Sequence, residues 1–141
     1  MTLWVVDASV VIKWYVPENG YAAARAMRTA ETKLAAPDLL FIETSNILWK
    51  LVRRNELAAP RAIEIIEEIA ASPFIKFSTQ RLVRDELELG IATGLSAYDA
   101  SYVALAMRLD KILITADEKL VRKLAGTRSE KQVRLLADYT N

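Results

Sequence analysis

Residues Gly94–Leu120 read GLSAYDASYVALAMRLDKILITADEKL. Ser96 and Asp99 stand at the spacing of a helix start, and the residues from there to Leu109 are apolar nearly all round, as in a helix buried between layers. Lys111–Thr115, KILIT, has the length and composition of a buried strand, and Glu118 opens another helical segment. A buried helix running straight into a short apolar strand is a unit of a parallel sheet covered on both faces. The same stretch sets two carboxylates, Asp99 and Asp117, into two of the most apolar elements of the chain.

Outward from this unit the alternation repeats. Leu3–Val6, Lys33–Ala36, Phe74–Phe77 and Val133–Leu136 also have strand character. Helical segments are expected at Ser9–Val16, Gly20–Thr32, Asp38–Asn55, Pro60–Ala71, Gln80–Thr93, Ser96–Leu109 and Glu118–Leu124. The class is α/β. The 141 residues, 52% hydrophobic and without repeats or linkers, suit one domain spanning 1–141. At this size such a domain buries ~70% of the surface its unfolded chain exposes.

Composition excludes several chemistries. With 19 Lys+Arg against 18 Asp+Glu, the net charge of +1 gives no global field for nucleic acid or membrane. The absence of cysteine removes disulfides, zinc-thiolate sites and thiol nucleophiles. The absence of histidine removes the commonest general base and the imidazole ligands, so acid–base or metal chemistry falls to carboxylates. The N-terminal MTLWVVDASVVIKWYV has no basic n-region, and Asp7 and Lys13 interrupt it; neither export nor membrane insertion is expected, and a cytoplasmic location is.

In a parallel sheet of this kind ligands bind beyond the carboxyl ends of the strands, near the point where strand order reverses. Asp7 directly follows Leu3–Val6, and Asp117 lies one residue past Thr115, so both belong to that edge. Each also makes a good helix start, Thr115 and Glu118 matching a capping box, and the same alternative holds for Asp99 within Ser96-x-x-Asp99. Glu43 borders the apolar stripe Leu40, Ile47, Leu48, Leu51, Val52, where an ionised carboxylate costs several kcal/mol unless it is paired, protonated or bound to a cation. Pro37 suits the first turn of that helix, and Asn46 lies beside Glu43 as a supporting amide. Clustered carboxylates without nitrogen or sulfur donors suit a hard divalent cation such as Mg²⁺, and hence phosphoryl transfer or phosphodiester hydrolysis.

Asp7-x-Ser9 after the first strand, Glu43-x-x-Asn46 in a helix after the second, Asp99 opening an apolar helix, and Thr115-x-Asp117 after a later strand together resemble the PIN-domain nucleases. Length and element order resemble in particular the VapC-like toxins of toxin–antitoxin pairs. The resemblance implies a three-layer α/β/α fold with a five-stranded parallel sheet in order 3-2-1-4-5. It implies a Mg²⁺- or Mn²⁺-dependent endoribonuclease acting on RNA, a homodimer, and a small antitoxin partner. Asp7, Glu43, Asp99 and Asp117 match the family's acidic ligands, Ser9 and Thr115 its supporting hydroxyls, and Asn46 also fits.

For RNA contacts the candidates are Lys50–Arg54, Lys13 and Lys119 at phosphates and Trp14 or Tyr98 against bases, with helix-end pairing and core packing as the alternatives. Tyr21, Trp49 and Tyr102 carry less signal still. Two other classes share parts of the pattern. A phospho-receiver needs an acidic pair after its first strand, where VVDASV supplies one carboxylate; a catalytically inactive binding module of the same fold would have lost ligands.

Overall fold

The computed structural model describes residues 2–140. Strand β1 (Thr2–Val6) leads through the single turn α1 (Ala8–Val11) and a 3-10 turn (Ile12–Trp14) to α2 (Tyr21–Ala26) and β2 (Thr32–Pro37). The hairpin α3 (Leu39–Arg53) and α4 (Ala59–Ala71) precedes β3 (Ile75–Phe77); α5 (Val83–Thr93) and α6 (Ala97–Leu109) precede β4 (Leu113–Thr115), and α7 (Glu118–Leu124) precedes β5 (Val133–Leu135).

The five strands form one parallel sheet in the order β3-β2-β1-β4-β5, as expected. A receiver domain has the order 2-1-3-4-5, so this topology removes that rival. Strand order reverses between β1 and β4, which pair as Val5↔Leu113 and Val6↔Ile114. One residue further along each strand stand Asp7 and Thr115, and the register alone sets them side by side.

Val5, Val6, Leu113 and Ile114 are wholly buried, each contributing ~1.5–3 kcal/mol of apolar burial. Helix α6 packs across β1, β2 and β4 with α5 against it; α3 packs on β2 and α7 on β5, giving the three layers. Residues Ala100–Ala106 of α6 are buried without a break, which is why that helix shows no polar face in sequence. Among the described residues no helix is long and apolar enough to cross a membrane.

Several boundaries differ from expectation. The helix expected over Gly20–Thr32 ends at Ala26, because the polar, β-branched stretch after it offers no apolar stripe to bury. There the hydroxyls of Thr29 and Thr32 hydrogen-bond at 2.9 Å, and Thr32 already pairs with Thr2 in the sheet. Gly20 begins this helix with φ +90°, and a Cβ there would meet Leu136 at 3.1 Å. Pro37 is the last residue of β2, paired with Phe77, rather than part of the first turn of α3. Ser9–Val16 is a single α-turn followed by a 3-10 turn, and Gln80–Thr93 opens with 3-10 geometry to Leu82.

Candidate active site

The reversal point gathers its side chains around Asp7, 8% exposed at the end of β1. Ser9 Oγ donates to Asp7 Oδ1 and Thr115 Oγ1 donates to Oδ2, each at 2.5 Å, while the Val10 N–H reaches Oδ1 at 3.3 Å. Both hydroxyls in turn accept from the backbone of the β4–α7 turn, Ser9 from Ala116 N–H at 3.0 Å and Thr115 from Asp117 N–H at 3.1 Å. The hydrogen bonds thus run one way, from backbone N–H through hydroxyl to carboxylate, and fix both oxygens of Asp7. Burial pushes the Asp7 carboxyl up to about 6 against the lowering effect of these donors, and the Asp99 charge adds to the rise.

Asp117 caps α7, its Oδ1 accepting from Lys119 N–H at 2.9 Å and Leu120 N–H at 3.3 Å. The capping box expected of Thr115 and Glu118 does not form, since the Thr115 hydroxyl is committed to Asp7. At α6 the cap is Ser96, whose Oγ accepts from Asp99 N–H at 3.2 Å. No protein hydrogen bond to the Asp99 carboxylate is made among the described residues, so the capping role falls to Ser96 and leaves that carboxylate free. Asp99 is half-buried, and its pKa is raised by burial and by the Asp117 charge, with Lys123 of α7 opposing.

Glu43, half-buried on α3, is likewise raised by burial, with Asp99 contributing, while the Tyr102 phenol lowers it. Asp99 is therefore the hub, acting electrostatically on Asp7 and Glu43 and being acted on by Asp117. Tyr102 lies one turn after Asp99 and is 2% exposed; burial drives its phenol pKa far up and the Glu43 charge adds to the rise, while its hydroxyl lacks a partner in hydrogen-bonding geometry. Tyr102→Phe removes this buried, unpartnered hydroxyl, so the melting temperature should not fall. The Glu43 carboxyl titration, followed by NMR, should move to higher pH as the phenol's influence disappears; an unmoved titration would sever Tyr102 from the site.

Of the residues proposed from sequence, the structure joins Asp7, Ser9 and Thr115 by hydrogen bonds and couples Glu43, Asp99 and Asp117 to them by charge. Asn46 is exposed, and its amide makes no hydrogen bond among the described residues, so it does not brace Glu43. Lys13 is paired with Glu18 at 3.0 Å, and Trp14 is core, stacked on Phe74 with ring planes 7° apart. Tyr102 and Lys123 are the site residues that sequence reasoning missed. The signal for Tyr102 was its three-residue spacing from Asp99; Lys123 had none, because only the packing of α7 brings it near.

A family model described as PIN domain matches residues 4–126, nearly the whole of this arrangement. The chain belongs to the PIN domain family. This PIN domain is 35% identical over 123 residues to Ribonuclease VapC3 of Pyrobaculum aerophilum, covering 84% of this chain and 92% of that protein. It is 34% identical over 119 residues to Ribonuclease VapC9 of Mycobacterium tuberculosis, covering 82% and 87%. A crystal structure of a Pyrobaculum aerophilum protein superposes with a TM-score of 0.71 at 25% identity, over 97% of this chain and 93% of that one. Mycobacterium tuberculosis VapC20, a Sarcin-Ricin loop cleaving toxin, shares the fold at a TM-score of 0.66 and 13% identity, over 84% and 93%.

The donor set of the PIN domain is made of oxygen alone, four carboxylates with two hydroxyls behind one of them, which fits a hard divalent cation. Among the described residues no three carboxylates stand close enough together to grip one ion. The like charge of Asp99 repels those of Asp7, Glu43 and Asp117.

Proposed function

We propose that this PIN domain is a divalent-cation-dependent endoribonuclease, the toxin of a toxin–antitoxin pair, that hydrolyses phosphodiester bonds of RNA. The observation that carries the reading is the Asp7 carboxylate, held on both oxygens by Ser9 and Thr115 where strand order reverses, with Asp99 at the start of α6 near enough for its charge to act on Asp7 and Glu43. The ribonuclease names of its relatives support the substrate class. Asp7, Asp99 and Asp117 would hold Mg²⁺ or Mn²⁺, with Glu43 joining directly or through water. Such an ion, when bound, lowers the pKa of a water and offsets charge on the scissile phosphate.

The chain's own groups supply the rest. Ser9 and Thr115 keep Asp7 in one orientation by holding both its oxygens. Glu43, whose proton affinity burial has raised, is the base suited to take the proton of the attacking water. Histidine is unnecessary in this scheme. An antitoxin segment that covers the site and sets Arg or Lys among the acids would block phosphate entry; a homodimer and a cytoplasmic setting complete the proposal.

The purified protein should cleave single-stranded RNA with Mg²⁺ or Mn²⁺ and stop when EDTA is added. Cleavage undiminished in EDTA would overturn the metal mechanism, and absence of cleavage with either ion would leave a binding module, the second reading open to a PIN fold.

A further inference from the structure

Beside Glu43 opens a cleft of about 700 Å³ between α3 and the first turn of α6. Two large rings stand at it in water, Trp49 55% and Tyr98 63% exposed, next to Ile42 at 65%. Rings of this size left exposed together on a small domain mark a contact surface. Lys50 and Asn46 line the same cleft, and the Arg53 guanidinium lies over the Trp49 ring, 5.2 Å from its centroid.

We infer that this cleft is a nucleotide subsite, in which an unpaired base of a single-stranded RNA stacks on Trp49 and Tyr98 while its neighbouring phosphate lies at the carboxylates. The inference rests on the ribonuclease reading and adds what selects the RNA strand. Continuity supports it: Glu43 belongs both to the cleft and to the charge cluster around Asp99, and Tyr98 directly precedes Asp99 in α6. A nucleotide whose phosphate sits at Asp99 therefore has its base within reach of the rings. Charge supports it too, because rings interleaved with Lys50 and Arg53 offer stacking faces and phosphate contacts in one surface, the combination that single strands require. Asn46 adds a free amide, donor and acceptor at once, to read a base edge. A duplex keeps its base faces covered and cannot enter.

Trp14 is buried and Trp4 partly so, which makes Trp49 the exposed fluorophore. Titration in EDTA with a short mixed-sequence single-stranded RNA should quench tryptophan emission saturably. Trp49→Phe should lose the quench yet keep affinity, measured by anisotropy of labelled RNA. Trp49→Ala and Tyr98→Ala should each weaken binding on the order of tenfold, with Tyr98→Phe near wild type. Both rings are exposed, so melts should show every variant folded. An RNA of equal length with abasic sites should bind wild type as weakly as intact RNA binds the double alanine variant.

The subsite is overturned if abasic and intact RNA bind equally, or if the double variant binds as wild type does. It is also overturned if that variant turns a dimer into monomers without changing RNA affinity, since a second copy then covers the cleft. Failure of the two readings is distinguishable: base-dependent binding without cleavage in Mg²⁺ or Mn²⁺ sinks the ribonuclease and keeps the subsite, whereas cleavage with unchanged KM in the double variant sinks the subsite alone.

Discussion

Asp99→Asn is expected to lower RNA cleavage by roughly 10²- to 10³-fold, the loss typical of removing one preorganised electrostatic group, while the metal-free protein melts no lower than wild type. Two roles that sequence leaves merged are separate in the structure. The cap of α6 is Ser96, which accepts from Asp99 N–H, a backbone donor that asparagine retains. The Asp99 carboxylate itself is held by no protein hydrogen bond among the described residues and is pushed toward protonation by burial and by Asp117. Its charge is thus a cost to the metal-free fold, and the substitution removes that cost at nearly constant shape. With Mn²⁺ the order reverses. An ion that binds the folded state alone stabilises wild type by ~2.7 kcal/mol at about one hundred times its dissociation constant, and the variant should gain less. Melts of both proteins in EDTA and across a Mn²⁺ titration decide the matter: equal metal shifts would show that Asp99 is not a ligand, whatever happened to the rate.

Much of this was legible in sequence because the relevant signals are local. KILIT, LWVV and the apolar run after Ser96 each announce a buried element, and their alternation leaves little choice but a parallel sheet. Asp7 and Asp117 were readable as edge residues because each falls within two positions of a strand end. What stayed closed depends on contacts between distant residues. The spacing of Thr115 and Glu118 fits a capping box, but the Thr115 hydroxyl is claimed by Asp7, 108 residues away, and the cap passes to Asp117. Asn46 satisfies the helical spacing from Glu43 and lines the same cleft, yet its amide makes no hydrogen bond to that carboxylate among the described residues. Trp14 and Trp49 look alike in composition; the core stacking of one and the exposure of the other follow from which helix face meets Phe74.

In metal-free buffer the stability of the protein should fall as pH rises from about 4 to about 6, and Asp7→Asn should abolish a large part of that fall. Asp7 ionises near 3.8 in the unfolded chain and near 6 in the folded one, because burial outweighs the donors Ser9, Thr115 and Val10. Between those values the folded state binds more protons than the unfolded state, so unfolding free energy decreases with pH. The contribution is fully present below the lower value and gone above the higher. A difference of that size corresponds to ~3 kcal/mol at neutral pH, or several degrees of melting temperature in a chain of this length. Asparagine carries no charge to desolvate, but it makes Ser9 or Thr115 turn its hydroxyl to accept from the new amide, a loss on the order of 1 kcal/mol. The variant should therefore be the more stable protein at pH 7 by ~1–3 kcal/mol and the less active one. Glu43 and Asp99, also raised, add slope of the same sign in both proteins, so the comparison isolates Asp7 together with its coupling to Asp99. Adding Mn²⁺ should oppose the fall in wild type, since the ion competes with the proton for the same oxygens and its stabilisation grows over the same window. Denaturant melts at pH 4.5 and pH 7 in chelator-treated buffer measure the difference directly; parallel pH slopes in wild type and Asp7→Asn would mean that Asp7 titrates like an ordinary carboxylate and that its burial is offset by the hydroxyls around it.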